Sequence, residues 1–177
     1  MPKDPAPRVA YAAQPHSRLG LVWLALSDAG LWALSYGIDE AEFRARILER
    51  GPAAPYPDEG KCAAALQQVI GFLDGQRTEF DLDMDWRGMT DFQVAVRKAV
   101  MAVPYGQTAS YGDIAAAVGK PLAARAVGGV QADNPVSFII PCHRIIGADG
   151  SLHGYGGFGG LETKAWLLEL EGAHQRS

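Results

Sequence analysis

The spacing of the apolar residues changes near Asp85, and no single regular architecture accommodates both patterns. Before this point, three short apolar segments separated by turn residues are followed by two longer segments in which apolar residues recur at helical spacing, which indicates strands followed by helices. After it, the spacing is mostly helical. We therefore predict an α+β fold. A small N-terminal α/β domain (residues 1–85) contains a three-stranded antiparallel sheet plus helices, and a mostly helical C-terminal domain (residues 86–177) follows it.

The N-terminal segments have clear boundary signals. Asp28-Ala29-Gly30 is a turn sequence between two of the strands, so we expect a hairpin there. The prolines between residues 52 and 57 predict a loop. The predicted strands are Arg8–Gln14, Leu21–Ser27 and Leu31–Tyr36, and the predicted helices span residues 39–50 and Glu59–Leu73.

Two short helices separated by a tight turn form a candidate helix-turn-helix in the C-terminal half. Ser110 precedes the first helix as a capping residue, and Gly119 ends it. Pro121 is expected at the first position of the second helix, which continues through Leu122–Val130. By itself this shape is weak support for DNA binding, because any small helical domain contains such pairs.

The other C-terminal elements follow from capping and hydropathy. Thr90 begins a helix with a T-x-x-Q capping box. Phe138–Ile140 is predicted to be a short apolar strand that Pro141 ends. A glycine-rich loop covers residues 147–160, and the last helix is predicted over Leu161–Glu171.

Charge and composition exclude several classes of protein. The formal net charge is −4, with −5 on residues 1–85 and +1 on residues 86–177, so any DNA binding must depend on a few well-placed cations. Two cysteines cannot form a disulfide scaffold or a four-cysteine zinc site, and with four histidines a structural metal is not expected. Because no apolar run reaches the ~18 residues of a membrane helix and no export signal is visible, we expect a cytoplasmic protein, nucleoid-associated if bacterial.

The two cysteines lie in different contexts. Cys62 falls on the apolar face of a predicted helix, which indicates a core residue. Cys142 is followed directly by His143 and Arg144, and a neighbouring imidazole or guanidinium would favour the reactive thiolate. From the residues alone, a buried thiol beside two solvated bases remains an equal alternative.

A histidine that takes a proton from a thiol needs a carboxylate to hold its tautomer. Glu171 is the strongest of the candidates. It is predicted in the last turn of a helix, where the helix dipole disfavours a carboxylate by ~0.3–1 kcal/mol. It is also three and four residues from Leu168 and Leu167, so it can face inward. The other candidates are Asp149, Glu162 and Glu169.

These residues lie within longer motifs. The segment Ile140-Pro141-Cys142-His143-Arg144-Ile145-Ile146 resembles, at every position, the active-site signature of the O6-alkylguanine-DNA alkyltransferases (methylated-DNA–protein-cysteine methyltransferases). The resemblance covers about Asp91–Gly172, whereas the N-terminal half resembles the family only loosely. The further family-like segments, in order, are Pro104–Thr108, Ser110–Gly112, Ala124–Gly128, Asn134-Pro135, and Gly160-Leu161 through Lys164 and Leu167-Leu168.

The resemblance implies a repair reaction without a cofactor. Cys142 would take the alkyl group from O6 of a flipped-out guanine, and also from O4 of thymine, and would keep it as a thioether in a single turnover. His143 would be the base, acting through a bridging water, and Glu171 would orient it. Asn134 would hold the turn around the site, and Tyr111 would serve the flipped base and the backbone phosphate.

The resemblance also implies how DNA is bound. Arg125 matches the arginine that fills the gap left by the flipped nucleotide, and its small neighbours would let the helix lie close to the backbone in the minor groove of double-stranded DNA. We expect a monomer without membrane association, and cooperative assembly along DNA stays open. The implied DNA-binding residues are Ser110, Tyr111, Ala123, Ala124, Arg125, Ala126 and Gly128.

Base recognition would use backbone groups. The family pattern implies that the carbonyls of Cys142 and Ile145 accept from the guanine amino group and that amides beyond Tyr155 donate to O6. Here the sequence from Gly156 to Gly160 is about two residues longer than the commonest family form. This departure leaves open which amide meets O6 and whether Phe158 enters the pocket.

Two other functions are compatible with parts of this sequence. A non-catalytic sensor of alkyl lesions would share the helix-turn-helix, but such proteins replace the cysteine, which Cys142 argues against. A cysteine hydrolase could use Cys142, His143 and Glu171, but it needs an oxyanion hole and a turnover cycle. Repeated turnover on an ester would favour the hydrolase.

Overall fold

A computed structural model of the chain describes residues 6–173, and the chain divides into two compact units between Gly88 and Met89. The N-terminal unit contains a four-stranded sheet in the order β3-β2-β1-β4, in which β1, β2 and β3 are antiparallel neighbours and β4 runs parallel to β1. The α+β class is confirmed. The elements of this unit are β1 (Arg8–His16), β2 (Gly20–Leu26), β3 (Leu31–Tyr36), α1 (Glu40–Glu49), β4 (Ala54–Pro57) and α2 (Glu59–Leu73).

Strand β4 corrects the loop predicted from its prolines and adds a fourth strand to the predicted three. It lies at the edge of the sheet, where proline is tolerated because one side of the strand needs no hydrogen bonds. The Ala54 amide donates to the carbonyl of Pro7, just before β1, at 2.9 Å, and the Asp58 amide donates to the carbonyl of Tyr11 in β1 at 3.0 Å. Pro55 and Pro57 alternate with these donors, so their missing N–H groups fall on the free side of the edge.

The core of this unit forms where the helices cover the sheet. Helix α2 packs on β1 and β2, and α1 packs on β3. Trp23 of β2 stacks on Phe43 of α1 with 5.5 Å between ring centroids. Cys62 is fully buried on α2, as predicted for a core residue, and burial raises the pKa of its thiol to about 11.

The chain leaves this unit along the free edge of β3. Leu31 donates to the carbonyl of Asp83 at 2.8 Å and accepts from the amide of Asp85 at 3.1 Å. Gly30 lies at φ 127°, and a Cβ atom there would be 2.4 Å from the Asp83 carbonyl oxygen. Only glycine therefore allows the β2–β3 turn and this exit segment to lie together.

The C-terminal unit is mostly helical. Its capping box at Thr90 is present, with hydrogen bonds of 2.9 and 3.2 Å to Gln93. No helix within residues 6–173 combines the length and apolar character needed to span a membrane. The elements are α3 (Asp91–Met101), β5 (Ala109–Ser110), α4 (Tyr111–Ala117), α5 (Ala124–Ala132), a 3₁₀ turn (Cys142–Arg144), β6 (Ile145–Ile146), which pairs parallel to β5, and α6 (Gly160–Leu170).

Two local predictions for this unit are wrong. Helix α5 begins at Ala124, because Pro121 occupies a turn closed by the Ala123 amide and the Lys120 carbonyl at 2.9 Å. Phe138–Ile140 forms a turn instead of a strand, with Phe138 at φ 68° and the Ile140 amide bonded to the carbonyl of Val136 at 3.1 Å. The segment is apolar because it is buried, while its backbone hydrogen bonds are local.

Candidate active site

Asn134 and the turn before Cys142 position the thiol. The Asn134 amide donates to the Ile140 carbonyl at 2.8 Å and to Cys142 Sγ at 3.2 Å, and its oxygen accepts from the Val136 amide at 3.0 Å. Phe138, which lies between Asn134 and Cys142 in the sequence, has a left-handed backbone conformation that costs about 1–3 kcal/mol. The turn therefore presents Cys142 as a partly exposed side chain while the residues on either side of it are buried.

A buried carboxylate lies against the histidine that follows the thiol. Glu171 comes immediately after α6, and its Oε1 is 2.7 Å from His143 Nε2, with both side chains fully buried. Its Oε2 accepts from the Gly106 amide at 3.1 Å. Because an ionised carboxylate only accepts, Nε2 carries the proton in this contact and the lone pair of the neutral ring is on Nδ1.

Arg144 binds the same carboxylate. Its Nε and Nη2 donate to Glu171 at 2.9 and 3.0 Å, and Nη1 donates to the Val103 carbonyl at 2.7 Å. The alternative with two solvated bases beside the thiol is therefore wrong, since His143 and Arg144 are both buried. Arg144 neutralises Glu171, whereas the charge that acts on Cys142 comes from a different residue.

The pKa shifts define the resting protonation state. Burial raises the pKa of the Cys142 thiol, although the Asn134 hydrogen bond and the charge of Lys164 partly oppose it. Burial also lowers the pKa of His143, and Glu171 only partly restores it. Burial raises the pKa of Glu171, but the hydrogen bonds from His143 and Arg144 outweigh it, so this pKa is lowered overall. The resting site therefore holds a thiol, a neutral imidazole and a carboxylate.

Lys164 is the site residue that sequence reasoning missed. It lies on α6, is almost fully buried, and donates from Nζ to the carbonyls of Ile145 and His153 at 2.6 and 3.1 Å. Burial lowers its pKa to about 8, against the opposing effect of Cys142. The available signal was its position, because a lysine three residues before Leu167 falls on the apolar face of the last helix.

Tyr111 is the first residue of α4 and interacts electrostatically with Cys142. Burial raises the pKa of its phenol, and the negative charge that Cys142 carries once its thiol is ionised raises this pKa further. Its ring packs on α5, where a Cβ atom on Gly128 would be 3.9 Å from two ring carbons. Ser110 caps α4 by accepting from the Asp113 amide at 3.0 Å. The structure thus brings Tyr111, Cys142 and Gly128 to one place.

Helix α5 presents the residues predicted to contact DNA. Arg125 and Ala126 are exposed, whereas Ala123 and Ala124 are partly buried. Among residues 6–173, the Arg125 side chain makes no hydrogen bond or ion pair. The exposed side of α5 therefore carries one cation among small residues.

The predicted base pocket is partly occupied by internal contacts. The Cys142 carbonyl accepts from the Ile145 amide, and the Ile145 carbonyl accepts from Lys164. Each oxygen keeps a second lone pair for a ligand. Gly156 lies close to α5, since its Cβ would be 3.3 Å from the Ala132 carbonyl. The neighbouring predicted residues are Tyr155, which is partly buried, and Phe158, which is 59% exposed.

Within the described residues, no group of three histidine, cysteine or acidic side chains is arranged to hold a metal ion.

Comparisons with known proteins show the family of this chain. Residues 91–173 match the family model for the DNA-binding domain of 6-O-methylguanine DNA methyltransferase. The methylated-DNA–protein-cysteine methyltransferase of Mycobacterium bovis is 52% identical over 115 residues, which cover 65% of this chain and 68% of that protein. The chain belongs to the methylated-DNA–protein-cysteine methyltransferase family.

Solved structures extend the similarity to both units. The structure of Mycobacterium tuberculosis OGT in complex with DNA is 40% identical in sequence and has a TM-score of 0.74. The match covers 93% of this chain and 92% of that chain. The inducible methylated-DNA–protein-cysteine methyltransferase of Bacillus subtilis is 46% identical over 114 residues, covering 64% of this chain and 62% of that protein. This methyltransferase-family chain therefore shares the N-terminal unit with a solved relative as well as the unit that carries Cys142.

Proposed function

We propose that this protein repairs DNA by direct reversal, by moving an alkyl group from O6 of guanine to Sγ of Cys142. One observation carries the proposal: a partly exposed thiol is followed in sequence by a buried neutral histidine whose Nε2 is held by an ionised glutamate. This is the arrangement expected of a thiol that loses its proton only as it attacks. Family membership supplies the substrate class.

The proton balance follows from the resting state. As the S–C bond forms and the C–O6 bond breaks, the thiol proton passes through a bridging water to Nδ1 of His143. The departing guanine takes a proton from Tyr111, which lowers the energy of the developing oxyanion. After both residues re-equilibrate with water, one hydrogen has moved from sulfur to the purine.

His143 acts as a base in this scheme because burial keeps it neutral beforehand. Glu171 favours the imidazolium once it forms, while Arg144 and Lys164 oppose it. Asn134 holds the sulfur in place through its 3.2 Å contact. The product is a thioether, which has no acyl carbon for water to attack, so each chain reacts once.

The test is intact-protein mass spectrometry after mixing with duplex DNA that contains O6-methylguanine. We expect one methyl group per chain on Cys142 and none on a Cys142→Ala variant that still binds DNA. Cys62→Ala is the matched control and should be methylated like the wild type, because Cys62 is buried in the N-terminal unit. Repair that continues after all chains are modified, or an unmodified protein with a persistent lesion, would refute the proposal.

We also propose that α4 and α5 dock in the minor groove and that Arg125 fills the space of the flipped nucleotide. Support comes from the exposed Arg125 on a helix of small residues. Arg125→Ala should slow repair of duplex DNA about tenfold while leaving reaction with free O6-benzylguanine unchanged, since the free base needs no flipping. Arg44→Ala removes an exposed arginine from α1 and is the control. An equal loss on both substrates would contradict this role.

The remaining details of the proposal are separate. Residues 86–177 would carry the chemistry and the DNA contacts, in a monomeric cytoplasmic protein. O4-methylthymine would be a second substrate, to be tested by the same mass measurement on a duplex with that lesion. Sedimentation with and without DNA would separate a monomer from cooperative assembly.

A further inference from the structure

Three polar side chains outside the proposed reaction form a hydrogen-bonded cluster in the exposed loop after β6. The Ser151 hydroxyl donates to Asp149 Oδ1 at 2.6 Å, and the Ser151 amide donates to the same oxygen at 3.1 Å. Ser151 Oγ is also 3.0 Å from His153 Nε2. Because the single hydroxyl proton points to Asp149, Oγ accepts from the N–H at Nε2 of His153. The imidazole is therefore held in one orientation by its neighbours.

The backbone beneath this cluster is held equally closely. The Gly147 amide donates to the Ser151 carbonyl at 2.9 Å, which closes the loop. A Cβ atom on Gly147 would be 2.5 Å from Asp149 Oδ1 and 2.6 Å from His153 Nε2, so the cluster lies directly on this glycine. The His153 carbonyl accepts from Lys164, which also binds Ile145. The imidazole thus has a defined position relative to β6.

The ring of His153 meets the ring of Tyr111. Their centroids are 6.3 Å apart and their planes are inclined by 61°, an edge-to-face contact. Tyr111 also packs against Gly128 of α5. The phenol therefore has two supports, one from the helix proposed to bind DNA and one from His153.

We propose that His153 is a positioning residue for Tyr111, held in place by Ser151 and Asp149. The inference rests on the proposed function, in which Tyr111 gives a proton to the departing guanine. Without the imidazole, one support of the phenol is lost and its hydroxyl samples positions from which proton donation fails. A displacement of a catalytic group by about 1 Å is enough to lower the rate of the chemical step.

The experiment is a double-mutant cycle on the single-turnover rate of methyl transfer from O6-methylguanine duplex DNA. His153→Ala should lower the maximal rate about tenfold and change the DNA concentration at half-maximal rate by less than about twofold. His153→Phe keeps an aromatic edge and should restore most of the rate. Ser151→Ala, which leaves the imidazole untethered, should have a smaller effect of about threefold.

The cycle is completed in a Tyr111→Phe background. There the hydroxyl is gone, so His153→Ala should change the rate by less than about twofold. Equal effects of His153→Ala in both backgrounds would overturn the proposal, and so would a full rate in the single variant. Cys142 should react with a small disulfide reagent at the same rate in wild type and His153→Ala, and a loss there would show general damage to the site and would also overturn it.

The two proposals fail in different ways. If wild-type Cys142 is never methylated, the proposed function fails and the role of His153 fails with it. If wild-type Cys142 is methylated but His153→Ala is as fast, only the role of His153 is wrong.

Discussion

Replacing Glu171 with glutamine tests the buried network beside Cys142. The carboxylate accepts from His143, Arg144 and the Gly106 amide, and it is the only acidic group that the structure places against the Arg144 side chain within the described residues. Glutamine keeps the shape and one acceptor oxygen, but it leaves the Arg144 cation buried without a counter-charge. It also points amide hydrogens at groups that are themselves donors.

The expected loss of stability in Glu171→Gln follows from the burial of the ion pair. Removing one partner of a buried ion pair costs about 3–5 kcal/mol, chiefly because the other charge stays desolvated. Since the glutamine oxygen retains part of the hydrogen bonding, we expect a loss near the lower limit, about 3 kcal/mol at pH 7. The control variant Glu169→Gln changes an exposed residue in the last turn of α6, two positions before Glu171, and should cost less than about 0.5 kcal/mol.

The pH dependence has a definite sign. The pKa of Glu171 is lowered in the folded protein, so the unfolded chain binds its proton first as the pH falls. The stabilisation is fully present above the ordinary glutamate pKa of about 4.3 and is lost as the pH falls through the lowered folded value. The difference in the free energy of unfolding between wild type and Glu171→Gln should therefore be constant from neutral pH down to mildly acid pH. It should become smaller at pH values below the ordinary glutamate pKa.

Urea denaturation at a series of pH values measures this difference, and hydrogen exchange of peptides from α6 locates it. The expected result is a loss confined to the C-terminal unit that narrows in acid. If Glu171→Gln is as stable as Glu169→Gln at pH 7, or if its deficit is unchanged below the ordinary glutamate pKa, the assignment of an ionised Glu171 is wrong.

Two further predictions concern single contacts. Gly30→Ala should destabilise the N-terminal unit by about 3 kcal/mol in chemical denaturation, because its Cβ would be 2.4 Å from the Asp83 carbonyl oxygen. The control Gly51→Ala, at φ 156° with no atom within 4 Å of the added Cβ, should cost only about 1 kcal/mol. Equal losses of stability in the two variants would contradict the clash at Gly30. Lys164→Met should raise the pKa of Cys142 and slow its reaction with a disulfide reagent about fivefold below pH 8. Because the pKa of Lys164 is about 8, this difference should fade at higher pH, and a difference that persists there would argue against an electrostatic effect.

Elements with local signals were predictable from the sequence. Helix α2 begins and ends at the predicted residues because Asp58 caps it and its apolar residues recur at helical spacing. The helix at Thr90 follows from a capping box that involves only neighbouring residues. Strand β4 was missed because its formation depends on pairing with β1, about forty-five residues earlier, which outweighs the local preference of its prolines.

In the candidate site, too, some features follow from local sequence and others depend on distant contacts. The sequence by itself determined which groups are available: the Cys142–His143 pair, an inward-facing Glu171, and Arg125 on a helix of small residues. Only the tertiary structure decided their charges and partners. Arg144 reaches the Val103 carbonyl across 41 residues of sequence, and Lys164, not Arg144, acts on the thiol. Protonation depends on burial and on contacts between distant segments, and neither is encoded in the spacing of neighbouring residues.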